Sequence, residues 1–201
     1  VKYATKDSFE KMAIVEEYIE GEEYSCECIS YKGNHHFLAF TKKYTTGSPN
    51  FIETGHMEPS DIKQEYQDEI KENIFKALTA LGIQNGASHT EFKINKNGEF
   101  GIIEIGARMG GDCIGSDLVQ ISTGYDFVKM VIDVACGKEP DFTKVTEPKK
   151  AVTKFIFTQE DLNKMNEFAE KNPNQIYRIS DMELENLGKT VDSSSRIGYY
   201  I

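Results

Sequence analysis

No basic cluster occurs anywhere in this sequence: 23 lysines and arginines stand against 33 aspartates and glutamates, a formal net charge of −10. That balance argues against nucleic acid and against anionic membrane surfaces as partners. No apolar run approaches the ~20 residues needed to span a bilayer, and no signal-peptide pattern opens the chain. Low-complexity tracts and internal repeats are absent. Of the four cysteines, Cys26 and Cys28 have strand spacing, but no second Cys or His pair sits at a zinc-site interval. Cys26, Cys28, Cys113 and Cys136 therefore read as reduced, mostly packed thiols of a cytoplasmic protein. No Ser-His-Asp or Cys-His arrangement is evident. The chain also lacks an initiator Met and stops inside the strand-like pattern "RIGYYI", so the expectation is a fragment of a longer protein.

What is present suffices for one large domain, or one domain plus a small one: 39% of the 201 residues are hydrophobic. "KDSFEKM" reads as a short helix leading into a strand at 13–19. After Gly21, "EYSCECISY" and "HHFLAFTKKY" alternate as strands do, and "GSPNFIETGHMEPS" mixes an extended stretch with a turn. From Asp61 the period changes. Ile62, Tyr66, Ile70, Ile74, Leu78 and Leu81 recur every three or four residues as one helix face, with Ser60 as cap and Gly82 as stop. A hairpin at 88–106 precedes helical patterns at 114–122 and 126–136. The two prolines of "GKEPDFTKVTEP" place a domain boundary near 138–149. Beyond it, "AVTKFIF" reads as a strand, "TQEDLNKMNEFAEK" as a helix capped by Thr158, and "QIYRI" and "SRIGYYI" as further strands. This grouping predicts an α+β protein, with 1–140 as one unit and 149–201 as a small C-terminal α/β domain.

The hairpin poses a question. Asn97-Gly98 is a strong hairpin signal, and a symmetric loop centred on it pairs positions whose numbers sum to 195, which sets Glu91 opposite Glu104. Like charges facing each other with Cβ atoms ~5 Å apart destabilise a sheet. Phe92, Ile94, Ile103 and Ile105 share the buried face, while Glu91 and Glu104 lie on the other with His89, Lys93 and Ile102. The pair reads either as a solvated face softened by Lys93 or as a site for a divalent cation. Mg²⁺ takes hard oxygen ligands, usually one or two protein carboxylates plus phosphate oxygens and waters. Arg108 follows Glu104 by four residues on the same strand parity, and Gly110-Gly111-Asp112 precedes a helix. Taken singly, Arg108 is also compatible with a surface ion pair to Glu104, and the glycines with an ordinary strand-to-helix turn. Together, two carboxylates, an arginine fork and a glycine-rich anion nest point to metal-assisted chemistry on a phosphorylated species.

"VEEYIEGEEYSCE", "HTEF" and "GIIEIGARMGGD", in that order, resemble the nucleotide- and metal-binding half of the ATP-grasp ligases. The resemblance covers roughly 10–137 and is nearest the branch of L-amino acid ligases and carnosine synthase. That branch shows an H-T-E strand, a second Glu thirteen residues on and Arg four beyond it, intervals that Glu91, Glu104 and Arg108 reproduce. It implies the C-terminal ATP-grasp subdomain, an antiparallel sheet with flanking helices. The phosphate-binding lid and the N-terminal substrate domain would then precede residue 1.

The resemblance also implies ATP with Mg²⁺, or alternatively Mn²⁺, as cofactors. Glu91 and Glu104 would bind the metal. Glu16 would sit at the adenine amino group, the backbone of Glu17 and Ile19 would read the adenine edge, and Glu23 would hold the ribose. His56 would lie near the substrate, although a histidine before a Pro turn is equally a structural residue. Arg108 would be catalytic, holding the substrate carboxylate and then the acyl phosphate. Gly110 and Gly111 would donate amides there, and Asp112 would either meet a substrate amine or cap the helix. One departure is Gly106, where many ATP-grasp enzymes carry a metal-binding Asn. The implied activity is an ATP-dependent carboxylate–amine ligase making an amide through an acyl phosphate, with an amino acid as substrate. Its partners would be a small-molecule carboxylate and amine, with a homodimer left open. The alternatives are a carbamoyl-phosphate-synthase-like or purine-biosynthetic ATP-grasp ligase, or an ATP- and Mg-binding domain without turnover.

Overall fold

The computed structural model describes residues 1–189 and 192–201. Its frame is one sheet of β1 (Glu22–Tyr31), β2 (Asn34–Thr45), β3 (Glu53–Glu58), β4 (Gly86–Ile94), β5 (Phe100–Gly106), β6 (Ala151–Ile156) and β7 (Gly198–Tyr200). Strand order is β5-β4-β1-β2-β3-β6-β7, and every neighbouring pair is antiparallel. A short helix, α1 (Lys2–Asp7), opens the chain.

The long helix α2 (Gln64–Ala80) covers one face of the sheet. Ile70, Ile74 and Leu78, spaced one turn apart, bury themselves against Tyr24, Cys26, Cys28, Phe40 and Phe92. Each fully buried side chain of this kind contributes roughly 1.5–3 kcal/mol. Gly82 stops the helix as expected: at φ 73° it donates to Thr79 O while Ile83 donates to Leu78 O. Ser60 is not the cap, because the helix begins after Lys63, three residues further on, while Ser60 N–H donates to Phe40 O. On the opposite face a π-helical turn (Ile114–Leu118) runs into α3 (Val119–Thr123). With α4 (Phe127–Ala135) it packs Val119, Phe127, Met130 and Val134 on Ile29, Leu38, Ala39 and Ala87. Asp126 caps α4 through Lys129 N at 2.9 Å. Thr158 and Asp161 cap α5 (Gln159–Lys171) reciprocally.

Several sequence expectations are corrected. Residues 13–19 form no ladder, since no neighbouring strand receives their N–H and C=O groups. The opening helix lies earlier in the chain than "KDSFEKM". "QIYRI" makes a single bridge, Ile179 to Tyr200, rather than a strand. Cys136 is exposed, while Cys26 and Cys28 are buried with their sulfurs 3.6 Å apart. Residues 149–201 share the sheet with 1–140, because β6 pairs with β3 from Gly55↔Lys154 to Glu58↔Ala151. Among the described residues no helix is long and apolar enough to cross a membrane.

Candidate active site

One face of the central strands changes character along its length. Ile29, Ala39 and Ala87 lie beneath α4. A step further, the same face carries Glu27 opposite His89, then Ser25 opposite both Thr41 and Glu91, then Glu23 opposite both Lys43 and Lys93. Lys43 in turn faces His56 of β3. Strand alternation keeps these residues on one side, so helices seal the apolar end and leave a polar floor at the other.

Glu91 and Glu104 are direct partners across β4 and β5. The loop that delivers them is centred on Asn97 rather than between Asn97 and Gly98. Asn95 N–H donates to Glu99 O, Gly98 sits at φ 86°, and Ile94 pairs with Phe100 and Phe92 with Ile102. A bulge at Ile103 then shifts the register by one and brings Glu104 opposite Glu91. Ile103 is consequently 43% exposed instead of sharing the buried face.

The carboxylates belong to a connected charge network. Glu91 Oε1 receives Lys43 Nζ at 2.7 Å and His89 Nε2 at 3.1 Å. His89 Nδ1 bonds Glu27, whose other oxygen accepts Gly110 N–H at 2.9 Å. Lys43 also reaches Glu23 at 3.3 Å and Glu53 at 3.8 Å. Arg196 links Glu53 at 3.0 Å to Asp112 at 2.7 Å and lies over the Phe155 ring. Burial opposes charge on His89, but its bonds to Glu27 and Glu91 outweigh burial and raise its pKa to about 9. The His89 hydrogen bond, with Lys43 alongside, holds Glu91 well below the usual carboxylate range. Burial would raise Asp112, yet His56 and Arg196 beside it depress it further. Carboxylates outnumber cations in this network, which suits an added divalent cation.

The sequence-predicted residues fall into three groups. Glu16, Glu17, Ile19 and Glu23 line one cleft of about 360 Å³ with Tyr18, Phe51, Lys93, Ile102 and Ile103. Glu91 and Glu104 form the facing pair. His56, Arg108, Gly110, Gly111 and Asp112 border the turn after β5. Arg108 makes no ion pair with Glu104; it donates to Met109 O at 2.9 Å. Its Cγ lies 3.3 Å from where a Cβ at Gly106 would stand, a close but yielding contact. Gly110 already gives its amide to Glu27, whereas Gly111 has open space around it. Asp112 does not cap the helix, whose cap position is Cys113 without a side-chain bond. It faces Arg196 and His56 instead, the latter at 3.7 Å, too long for a hydrogen bond. Both His56 nitrogens, Ser25 Oγ and Thr153 Oγ1 are buried without hydrogen-bond partners. Sequence reading missed Glu27, Lys43, Glu53 and Arg196. The signal of the first three, polar side chains at inward strand positions, becomes readable only once β1 is known to pair with β4 and β2 with β3, and Arg196, in the segment before β7, carries none.

Residues 1–117 match the family of the ATP-grasp domain. The chain belongs to the ATP-grasp family. It is 35% identical over 147 residues to alanine–anticapsin ligase of Bacillus subtilis (strain 168), covering 67% of this chain and 30% of that ligase. Phosphoribosylglycinamide synthetase from Anaerococcus prevotii superposes with TM-score 0.75 at 26% identity, over 92% of this chain and 48% of that one. L-amino acid ligase from Bacillus licheniformis gives 0.73 at 26% identity, over 91% and 48%. The chain thus spans less than half the length of each of these ATP-grasp relatives. Among its described residues no group of three or more His, Cys, Asp or Glu could hold a metal by itself. Two carboxylates fit Mg²⁺ where phosphates and waters complete the shell. Among the described residues the Glu104 side chain has no hydrogen-bond or ion-pair partner, and only one oxygen of Glu91 is engaged.

Proposed function

We propose that the protein carrying this chain is an ATP-dependent carboxylate–amine ligase that makes an amide from two small molecules, one of them an amino acid. The observation that carries this reading is the Glu91–Glu104 pair, each with a free oxygen, on an ATP-grasp sheet whose relatives include amino acid ligases. A substrate carboxylate oxygen attacks the γ-phosphorus of ATP and ADP leaves. The amine nitrogen then attacks the acyl carbon, loses a proton and expels phosphate. Bound Mg²⁺ at Glu91 and Glu104 would neutralise and template the phosphates. Glu16, Glu17, Ile19 and Glu23 hold adenine and ribose in their cleft. Arg108 turns from Met109 O to the transferring phosphoryl group, where a guanidinium stabilises developing charge. Gly111, with space around it, lets the acyl group approach the backbone, and His56 and Asp112 border the substrates. Four free thiols support a reducing, cytoplasmic setting.

Phosphate release from Mg-ATP by the full-length protein, screened against pairs of amino acids, tests this. Release should require two amino acids and fall at least about a hundredfold in Glu104→Gln, which loses a charge that only the transition state and metal need. A second reading, a purine-biosynthetic ligase, is favoured by the synthetase superposition at TM-score 0.75. Release with glycine and a phosphoribosyl amine would select it. Intact ATP binding without release for any carboxylate and amine would overturn the ligase reading.

A further inference from the structure

We infer that Glu27 and His89 are positioning residues: one buried carboxylate, through its two oxygens, sets both the metal-binding Glu91 and the glycine turn that follows Arg108. The inference rests on the metal reading of Glu91 and Glu104. Glu27 is fully buried in β1 between Cys26 and Cys28, where packing alone calls for no acid. Through Oε2 it accepts Gly110 N–H at 2.9 Å, and through Oε1 it meets His89 Nδ1. The other nitrogen of His89 reaches Glu91 Oε1 at 3.1 Å, where Lys43 also donates at 2.7 Å. One oxygen of Glu91 is therefore saturated by two donors, and its mate has no partner among the described residues. A carboxylate held in this way cannot rotate freely and presents a single oxygen to a cation.

The other end of the linkage is equally tight. A Cβ at Gly110 would lie 2.7 Å from Glu27 Oε1 and 2.8 Å from His89 Nδ1. Gly110 is thus glycine because the carboxylate–imidazole couple packs on its Cα. Two side chains span the distance from the metal carboxylate to the turn, so a shift at either end is felt at the other. Partners that orient a metal ligand through hydrogen bonds typically cost 10–100-fold in metal affinity when removed.

Mn²⁺ affinity, read by electron paramagnetic resonance with ADP present in the full-length protein, tests the couple. A ¹⁵N-glycine spectrum of Gly110 supplies a second readout. His89→Gln should weaken Mn²⁺ binding roughly 10–100-fold and move the Gly110 amide resonance less than loss of its own acceptor does. Glu27→Gln should weaken Mn²⁺ similarly and move that resonance. Gly110→Ala should weaken Mn²⁺ although it touches no metal ligand. Should Glu27→Gln fail to fold, the other two variants decide. Parental Mn²⁺ affinity in His89→Gln and Gly110→Ala, with binding lost in Glu104→Gln, overturns the positioning role and leaves the metal site standing. Parental affinity in Glu104→Gln overturns the metal reading itself, and with it this inference.

Discussion

Glu58 shows how far single residues are set by burial. It lies behind the site, accepting Thr41 Oγ1 at 2.5 Å and Ser122 Oγ at 2.8 Å, and burial outweighs those bonds to raise its pKa from 4.5 to about 8. The folded state therefore binds a proton that the unfolded chain gives up, so this contribution is complete below pH 4.5 and is lost as pH rises through about 8. His89, raised from 6.5 to about 9, adds a loss that begins at pH 6.5 and completes through about 9. Glu91 and Asp112, held low, act in the opposite sense and lose their contribution only as pH falls below the ordinary carboxylate range. Stability should peak in mild acid and fall by a few kcal/mol toward about pH 9. Thermal midpoints across that range should decline several degrees less in Glu58→Gln than in the parent. Parallel curves for the two would refute the assignment.

At the scale of elements, the hairpin is the instructive case. Its glutamates face each other although the loop centre lies one half-step from where a symmetric two-residue turn would put it. The three-residue loop closed by Asn95 and Glu99 and the bulge at Ile103 compensate each other. Deleting a residue from a strand normally turns every later side chain to the wrong face. Deleting Ile103 should instead remove only the bulge, keep Glu104 opposite Glu91 and leave Mn²⁺ affinity within about threefold, because Ile103 is the unpaired residue. Loss of metal binding with the fold intact would show that the bulge itself aims Glu104. The helix stops were legible for the same local reason: Gly82 and the Thr158 cap act within a few residues of themselves. Ser60 misled because its backbone is tied to Phe40 of β2, distant in sequence, and the helix starts only after Lys63.

At the scale of the molecule, one sheet takes strands from both sides of the proline-rich stretch at 138–149 that composition marks as a boundary. β6 brings Thr153 opposite His56 and places Phe155 edge-on to it at 5.3 Å, and Arg196 ties Asp112 to Glu53. Ile114 and Leu118 share a core cluster with Ala151 and Ile201. We therefore expect residues 1–140 and 149–201 to unfold together, in a single calorimetric transition with equal calorimetric and van't Hoff enthalpies. Two separated transitions would show an independent C-terminal domain instead.

By itself the sequence determined the periods of the strands and of α2, the cap at Thr158, the stop at Gly82, and the Glu91–Glu104–Arg108 spacing that marks the ATP-grasp family. All of these are properties of residues near one another along the chain. Only the tertiary structure decided that Glu27 meets His89, that Lys43 neutralises Glu91 and that Arg196 holds Asp112. Those contacts join residues 62, 48 and 84 positions apart; strand pairing sets the first two side by side and the packing of connecting segments the third, and no local pattern specifies either.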